Sequence, residues 1–218
     1  MHREGYGIIF AFALASGVMT LGGWGWNGDG VVKTIAVIGW VLTIFSVYFF
    51  RDPDRTIPET ADAIVSPADG KIIEISEVQE PEFLKQKALK ISVFLSIFDV
   101  HVNRAPISGK VTYFRYQKGK FLRAYLDEAS YQNEQTVIGM EQNGRKLLFK
   151  QIAGLIARRI HCDLREGHKV TRGERIGIIK FGSRVDVLVP VDSIELRVQL
   201  KDHVKAGESI IGVFKHVS

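Results

Sequence analysis

Two long apolar segments near the start of the chain constrain its fold most. Residues 7–26 carry no charged side chain, and residues 31–50 carry only Lys33. Each segment is about long enough to cross roughly 30 Å of hydrocarbon as an α-helix. The short NGDG sequence at residues 27–30 is typical of a turn between two such helices. The sequence therefore predicts a membrane-anchoring hydrophobic helical hairpin over residues 1–55.

Basic residues lie at both ends of this hairpin, with Arg3 at the start and Arg51 and Arg55 at the end. Positive residues tend to stay on the cytoplasmic side of a membrane. We therefore expect attachment to the cell membrane, with the rest of the chain on the cytoplasmic side. A cleaved signal peptide is disfavoured, because a second apolar segment follows at once. Interfacial or re-entrant placement of the two segments is the alternative to spanning.

The remaining residues, 56–218, have the composition of a β-rich domain. Prolines at 53 and 58 argue against continued helix. Short helices are expected at 82–86 and 122–130. The predicted strands are 71–78, 89–102, 135–141 and 146–153, the last two joined by a hairpin turn at Asn143-Gly144.

A pattern V-x-x-G-E-x-I occurs twice, at residues 170–176 and 204–210. It resembles the hairpins of lipoyl- or biotinyl-type β-sandwich modules, although the lysine turn that carries a swinging cofactor is missing. The predicted fold class is therefore mainly β: a barrel-sandwich-like β domain preceded by the N-terminal hydrophobic hairpin.

The net charge and the single cysteine limit which partners, disulfides and metal sites are expected. The net charge of +5 and the pI near 9.3 favour anionic surfaces such as phospholipid headgroups or nucleic acid. The single cysteine, Cys162, excludes an internal disulfide, and no metal-ligand spacing is present, so no metal is expected. Residues 110–121 alone interleave basic and aromatic side chains, which is better explained by a basic strand near anionic lipid than by nucleic-acid binding.

The stretch at residues 177–190, GIIKFGSRVDVLVP, has the pattern of two strands meeting at a corner of Phe181, Gly182 and Ser183. Gly182 lets the backbone adopt conformations that other residues resist. A serine directly after it has its hydroxyl within reach of the preceding carbonyl group. Such a serine can attack its own chain, although an ordinary turn is the alternative interpretation of a single Gly-Ser pair.

Four motifs together resemble one known family. They are SPADG at 66–70, FDVHVNRAP at 98–106, QIAGLIARRI at 151–160 and FGSRVDV at 181–187. In this order they closely resemble the phosphatidylserine decarboxylase proenzymes, in particular their compact bacterial form. The resemblance extends over nearly the whole chain.

The resemblance implies a self-processing enzyme. Ser183 would attack the Gly182 carbonyl and split the chain into a β chain of residues 1–182 and an α chain of residues 183–218. Ser183 would become a pyruvoyl group, the covalent cofactor that decarboxylates phosphatidylserine to phosphatidylethanolamine through a Schiff base. Membrane phosphatidylserine would be the substrate, the two chains would stay together as a heterodimer, and we expect a homo-oligomer with no metal and no nucleic acid.

The same resemblance assigns candidate roles. Asp69 and His101 are the candidate catalytic residues that would assist Ser183. The family's second histidine is replaced here by Arg104, so either His101 serves both cleavage and decarboxylation, or Arg104 orients a carboxylate or phosphate while another group accepts the proton. The structural alternatives are that Asp69 is only a turn residue and His101 only a polar residue at a strand end.

Arg158 and Arg159 are the further candidates for binding substrate, because guanidinium groups pair well with phosphate. The stretch Asn133-Glu134-Gln135 resembles a family Asn-Glu-Arg motif, but the arginine is missing.

The sequence leaves a variant substrate and one other function as alternatives. A related lipid with a serine headgroup, such as an archaeal type, is the variant substrate. A membrane-anchored β-sandwich adaptor would also carry the hairpin and the repeated pattern, but it predicts coiled-coil heptads that the sequence lacks.

Overall fold

The structure is a computed structural model that describes residues 1–25, 30–120, 122–125, 128–155, 159–180 and 182–215. It divides into two compact units, Met1–Pro53 and Asp54–Ser218. The first unit is helical and the second consists mostly of β-strands. The prediction of a mainly β protein with two apolar helices at its start is therefore confirmed.

The first unit consists of helices α1 (Tyr6–Gly25) and α2 (Gly30–Phe49), preceded by a 3₁₀ turn at residues 3–5. The helices pack against each other, and the indole Nε1 of Trp40 donates a hydrogen bond to Thr20 Oγ1 over 3.1 Å. Both are long and apolar enough to cross a membrane by length and composition, with mean hydropathies of 1.6 and 2.0. Large apolar side chains such as Leu21 and Ile44 stay exposed, which suits a lipid environment.

Within its described residues, the second unit contains fourteen strands and one short α-helix, α3 (Ala129–Gln132). The helix predicted at 122–130 is largely wrong, because it shares only residues 129 and 130 with α3 and because residues 122–125 are not helical. The strands are β1 (Ala63–Val65), β2 (Gly70–Glu80), β3 (Gln86–Leu95), β4 (Val102–Arg104), β5 (Gly109–Gln117), β6 (Gln135–Gln142), β7 (Arg145–Ala153), β8 (Ile160–Cys162), β9 (Lys169–Val170), β10 (Arg175–Ile179), β11 (Ser183–Pro190), β12 (Ile194–Leu196), β13 (His203–Val204) and β14 (Ile210–Phe214).

These strands form three antiparallel sheets. The largest has eight strands in the order β13-β2-β3-β11-β7-β6-β5-β9, and the two smaller sheets have the orders β1-β14-β12 and β4-β10-β8. The predicted hairpin turn joins β6 and β7, where Asn143 and Gly144 have φ angles of 51° and 77°. Positive φ at both central residues is the tight turn whose twist matches that of the strands.

Strand β11 lies near the middle of the large sheet and has two different faces. Its valines at 185, 187 and 189 point into a hydrophobic core that all three sheets share, together with residues such as Ile64 of β1 and Ile176 of β10. Burial of these apolar side chains is the main term that stabilises the second unit.

The opposite face of β11 carries a buried polar network. The Arg184 guanidinium donates to Asp186 Oδ1 over 2.6 Å, to Glu74 Oε2 over 2.6 Å and to Ser92 Oγ over 2.8 Å. Ser130 donates a short hydrogen bond to the other oxygen of Asp186. The side chains of Arg184 and Asp186 are completely buried, so each charge depends on the other for compensation.

The helix predicted at residues 82–86 is wrong, because a side chain binds the backbone groups that a helix would use. The Glu80 carboxylate accepts the N–H groups of Glu82, Phe83 and Leu84 at 3.1, 2.9 and 2.6 Å. These bonds close a turn, and β3 begins directly after it. The segment therefore connects β2 and β3 as a hairpin loop.

Removing one partner of the buried ion pair should cost far more stability than removing an exposed one. We expect Asp186→Ala to lower the free energy of unfolding by about 3–5 kcal/mol, because it removes the completely buried one of the two carboxylates that pair with the Arg184 charge. Far-UV circular dichroism during urea titration of the detergent-solubilised full chain measures this. The matched control is Glu195→Ala, whose exposed pair with Arg197 is worth about 0–1 kcal/mol. Equal losses in the two variants would contradict a structural role for the buried pair.

Candidate active site

The predicted corner between two strands is present. Gly182 has a φ of +65°, the left-handed conformation that favours glycine, and it directly precedes β11. Phe181, the third residue of the predicted corner, lies outside the described residues. Ser183 is the first residue of β11, where it pairs with Leu95 of β3 and Ala153 of β7. The chain therefore bends at Gly182, directly before the bond to Ser183.

The Ser183 side chain is buried and its hydroxyl is unused. Its exposed fraction is 0%, and within the described part of the chain its Oγ has no hydrogen-bond partner. Buried polar groups without a partner are rare in folded proteins and are a frequent sign of chemistry. Among the described residues, no hydrogen bond therefore competes for the hydroxyl that follows the Gly182 carbonyl.

His101 reaches the same corner from the loop between β3 and β4. A turn organised by Asp99, whose carboxylate accepts the Ser96 N–H over 2.7 Å, reverses the chain ahead of His101. His101 is completely buried, and its Nε2 lies 3.2 Å from the Gly182 nitrogen. A backbone N–H only donates, so Nε2 must be the acceptor and Nδ1 must carry the proton, which it donates to the Asp99 carbonyl over 3.0 Å. The basic nitrogen therefore faces the corner.

Gly154 marks the place of the Gly182 carbonyl. It follows directly on β7, and a Cβ added to it would overlap the Gly182 carbonyl oxygen. Gly154 does not have a positive φ, so space rather than backbone conformation requires glycine here. Gly154 lies within the QIAGLIARRI motif, but the sequence assigned it no role. Only the close approach of the backbone at residue 154 to the backbone at residue 182 reveals why glycine is needed there.

The side-chain amides of Gln151 and Asn103 form a buried pair at the sheet that carries Ser183. Gln151 of β7 donates to the Asn103 side-chain oxygen over 2.8 Å, and both residues are completely buried. Among the described residues, the remaining oxygen of Gln151 and the remaining nitrogen of Asn103 have no partner. Gln151 is two residues before Ala153, the ladder partner of Ser183, so strand alternation places it on the same face of the sheet as Ser183.

Asp69 has strong contacts of its own. Its carboxylate forms a two-oxygen ion pair with Arg55 at 2.8 and 3.0 Å and accepts the Ala206 N–H over 2.8 Å. Burial raises the pKa of the Asp69 carboxyl above its ordinary value, although the bonds from Ala206 and Arg55 oppose this. These contacts connect the SPADG turn to the hairpin before β14, and the catalytic role of Asp69 stays a prediction.

The arginine candidates are placed differently. Arg104 is buried, and its guanidinium donates to the Gly173 carbonyl over 2.9 Å. Its Cδ also lies 2.9 Å from where a Cβ of Gly207 would be, so the side chain contacts both turns of the repeated V-x-x-G-E-x-I pattern. Arg159 is exposed, and Arg158 lies outside the described residues. Substrate binding by these three arginines stays a prediction.

Asn133 connects the site to the segment that follows β5. It is completely buried, and its amide accepts the Leu122 N–H over 2.8 Å and donates to the carbonyls of Leu122 and Ala153 over 2.8 and 2.7 Å. Ala153 is the residue that pairs with Ser183. The asparagine of the Asn-Glu-Gln stretch therefore fixes backbone rather than acting on a substrate.

Neither the cysteine nor a metal centre offers an alternative to this corner in the described ranges. Burial raises the pKa of the Cys162 thiol to about 11, which leaves it protonated and unreactive at neutral pH. Among the described residues, no group of three or more His, Cys, Asp or Glu side chains is placed to hold a metal ion.

Comparison with known proteins gives one consistent result. The family model described as phosphatidylserine decarboxylase matches residues 42–212. The chain is 46% identical to the phosphatidylserine decarboxylase proenzymes of Rickettsia akari (strain Hartford) and Rickettsia felis, and 45% identical to that of Rickettsia prowazekii (strain Madrid E). Each comparison covers 98% of this chain and 90% of the relative.

A side chain at residue 154 should disturb the corner selectively. We expect Gly154→Ala to displace the Gly182 carbonyl and to slow any cleavage at this bond by about 100-fold, the effect of a misplacement of about 1 Å. Denaturing gel electrophoresis of the purified chain over time measures the uncut fraction.

The matched control is Gly212→Ala in β14, where a Cβ would lie 2.6 Å from the flexible end of Ile194. It should cost stability without changing cleavage. Cleavage at the normal rate in Gly154→Ala would show that the close approach of residue 154 to the corner is unimportant.

Proposed function

The chain belongs to the phosphatidylserine decarboxylase family, and on this premise we propose that it cuts itself between Gly182 and Ser183 and then decarboxylates phosphatidylserine to phosphatidylethanolamine. The observation that carries the proposal is the buried Ser183 hydroxyl without a described partner at a left-handed glycine corner, with the basic nitrogen of His101 3.2 Å from the Gly182 nitrogen. This arrangement supplies a nucleophile, a turned peptide and a base.

Self-cleavage proceeds from the geometry of the corner. The Ser183 Oγ attacks the Gly182 carbonyl carbon, and the peptide bond is exchanged for an ester. Loss of the Ser183 α-proton then breaks the bond between Cβ and the ester oxygen, which releases residues 1–182 with a new carboxylate. The dehydroalanine left at residue 183 takes up water and loses ammonia to give the pyruvoyl group.

His101 is the base that fits this sequence of steps. Its neutral imidazole, with the proton on Nδ1 held by the Asp99 carbonyl, presents the electron pair of Nε2 to the corner. In the uncut chain Nε2 accepts the Gly182 N–H, so it must give up this hydrogen bond before it takes the Ser183 proton. We therefore favour the alternative in which His101 serves both reactions, because the described contacts of Arg104 are with the turns at Gly173 and Gly207.

The residues around Ser183 also fit the group that it would become. A pyruvoyl group at residue 183 supplies the electron sink that decarboxylation of an amino acid headgroup requires. The chain holds residue 183 through the β11 pairings with Leu95 and Ala153, and the surrounding core excludes water. His101 is then the nearby group that holds or returns a proton.

Cleavage at this bond need not separate the two pieces. The α chain of residues 183–218 would contain β11, which pairs with β3 and β7, together with β13 and β14, which pair with β2 and β1. All these partners belong to the β chain of residues 1–182. The α and β chains thus share one core, which supports the heterodimer.

The N-terminal unit supports attachment to the membrane that contains the substrate. Two helices of sufficient length and hydropathy precede the β-rich unit, and basic residues flank them. We propose that they anchor the enzyme in the cell membrane with the catalytic unit on the cytoplasmic side. The homo-oligomer stays a prediction.

The first test is denaturing mass spectrometry of the purified full-length chain. We expect two polypeptides, residues 1–182 and 183–218, the smaller one blocked at its amino end and reactive toward hydroxylamine. Ser183→Ala should give one uncut and inactive chain, because the methyl group has no nucleophilic oxygen. Ser193→Ala, which removes a hydroxyl from the same fragment, should cut normally. A split Ser183→Ala chain would overturn the assignment of the nucleophile.

The second test concerns His101. We expect His101→Ala to slow cleavage by about 10²–10⁴-fold, the usual contribution of a positioned base. Pulse-labelling followed by gel electrophoresis measures this rate, and release of labelled carbon dioxide from carboxyl-labelled phosphatidylserine measures the second reaction in the cut fraction. His161→Ala, at an exposed histidine paired with Asp163, is the control and should change neither. Normal cleavage in His101→Ala would assign the base elsewhere.

A further inference from the structure

An open apolar cavity adjoins the cleavage site. Its volume is about 370 Å³, and apolar atoms form most of its wall. Gly182 is part of that wall, at the end of the sheet where β3 and β7 finish and β11 begins. Its apolar residues are Phe94, Ile97, Ala124, Tyr125 and Leu155.

Among the described residues, the charged residue that lines this cavity is Arg123. Its guanidinium donates to the Tyr125 hydroxyl over 3.0 Å, so within the described part of the chain its recorded partner is a neutral group rather than a carboxylate. In the described part of the chain only this one bond of the Arg123 guanidinium is recorded, and a guanidinium is suited to a phosphate, which it binds through two parallel hydrogen bonds.

The position of Arg123 is fixed by its neighbours. The preceding residue, Leu122, is held through both its N–H and its carbonyl group by the buried Asn133 amide. On the other side, the Tyr125 ring packs edge to face against Phe94 of β3 at a centroid distance of 6.3 Å. Because Asn133 also binds the carbonyl of Ala153, the ladder partner of Ser183, the cation is placed relative to the cleavage site rather than on a loose loop.

We propose that this cavity binds the phospholipid substrate, with Arg123 pairing with the phosphodiester and with the apolar wall at Leu155 and Ile97 receiving the glycerol ester and the first acyl carbons. The inference rests on the proposed function and names the substrate-binding side chains of the same site. Leu155 is 54% exposed at the rim, where an acyl chain can pass from a membrane surface to the cavity.

The positions of Ser183 and Gly182 also explain why self-cleavage must come before decarboxylation. Ser183 is completely buried in the uncut chain, whereas Gly182 lines the cavity. Breaking the bond between them frees Gly182 from β11, so the new group at residue 183 becomes accessible from the side where the lipid binds. The amine of a headgroup whose phosphate pairs with Arg123 then approaches residue 183 through the cavity.

The test is equilibrium binding, which does not depend on turnover. Calorimetry measures the dissociation constants of two probes, dihexanoyl phosphatidylethanolamine below its micelle concentration and glycerophosphoethanolamine, which has the same headgroup without acyl chains. We expect Arg123→Gln to weaken binding of both probes about tenfold or more, as for loss of a charged hydrogen-bonding partner. Arg123→Lys should restore part of the affinity. Leu155→Ser should weaken the dihexanoyl probe only.

Arg197→Gln, at an exposed arginine paired with Glu195, is the matched control and should change neither constant. The kinetic counterpart is a raised KM for phosphatidylserine in Arg123→Gln with little change in kcat and with normal self-cleavage. Unchanged binding of both probes in Arg123→Gln would overturn the proposal. Inorganic phosphate binding as tightly as the dihexanoyl probe would also overturn it, because the apolar wall would then contribute nothing.

These outcomes are separate from failure of the proposed function. If the wild-type chain is neither cut nor able to release carbon dioxide, the proposed function fails whatever the binding constants are. If the wild-type chain is cut and active while Arg123→Gln binds and reacts like wild type, only the assignment of this cavity and of Arg123 fails.

Discussion

The structure depends on the fixed register of strand β11. Eight consecutive residues of this strand pair with β3 on one side, and six of them also pair with β7 on the other. Its valines enter the core on one face, and Arg184 and Asp186 form a buried ion pair on the opposite face. A slip by one residue would exchange the two faces, placing charges in the apolar core and valines in the polar network. The cost of such a slip holds Ser183 at the start of the strand, buried against the core.

This constraint has a direct chemical consequence. A serine on a mobile loop would exchange its hydroxyl hydrogen bond with water, whereas Ser183 is fixed relative to a carbonyl group of its own chain. Gly182 supplies the left-handed turn that brings that carbonyl beside the strand, and Gly154 leaves the space that its oxygen occupies. His101 completes the arrangement through a hydrogen bond to the Gly182 N–H. In the proposed cleavage, backbone pairing therefore brings the reacting groups together, and side-chain flexibility adds little to the entropic cost of the reaction.

Sequence reasoning found the features that depend on neighbouring residues. Apolar length predicted the two helices, and the Asn143-Gly144 pair predicted its hairpin, because each signal is contained within its own segment. Sequence reasoning failed where a contact with a distant residue, or an unexpected side-chain contact with the backbone, decides the local structure. The turn at residues 81–84 forms because the Glu80 carboxylate binds three backbone N–H groups, and helix propensity does not describe such a contact. Gly154 was missed for the same reason, and so was the proposed role of Arg123, since both depend on approaches across the fold that no local pattern contains.

The replacement of the family's second histidine by Arg104 illustrates how a side chain's length changes its place. Arg104 lies on β4, three residues beyond His101, but its long side chain extends to the Gly173 carbonyl and to Gly207. A guanidinium stays protonated at physiological pH, so it cannot accept the serine proton even where it lies close. In the proposed cleavage another group has to take this proton, and the His101 imidazole is the candidate whose Nε2 faces the corner. The two recorded contacts of Arg104 join the hairpin turns that precede β10 and β14, so its side chain serves the scaffold, and substrate binding by Arg104 stays a prediction.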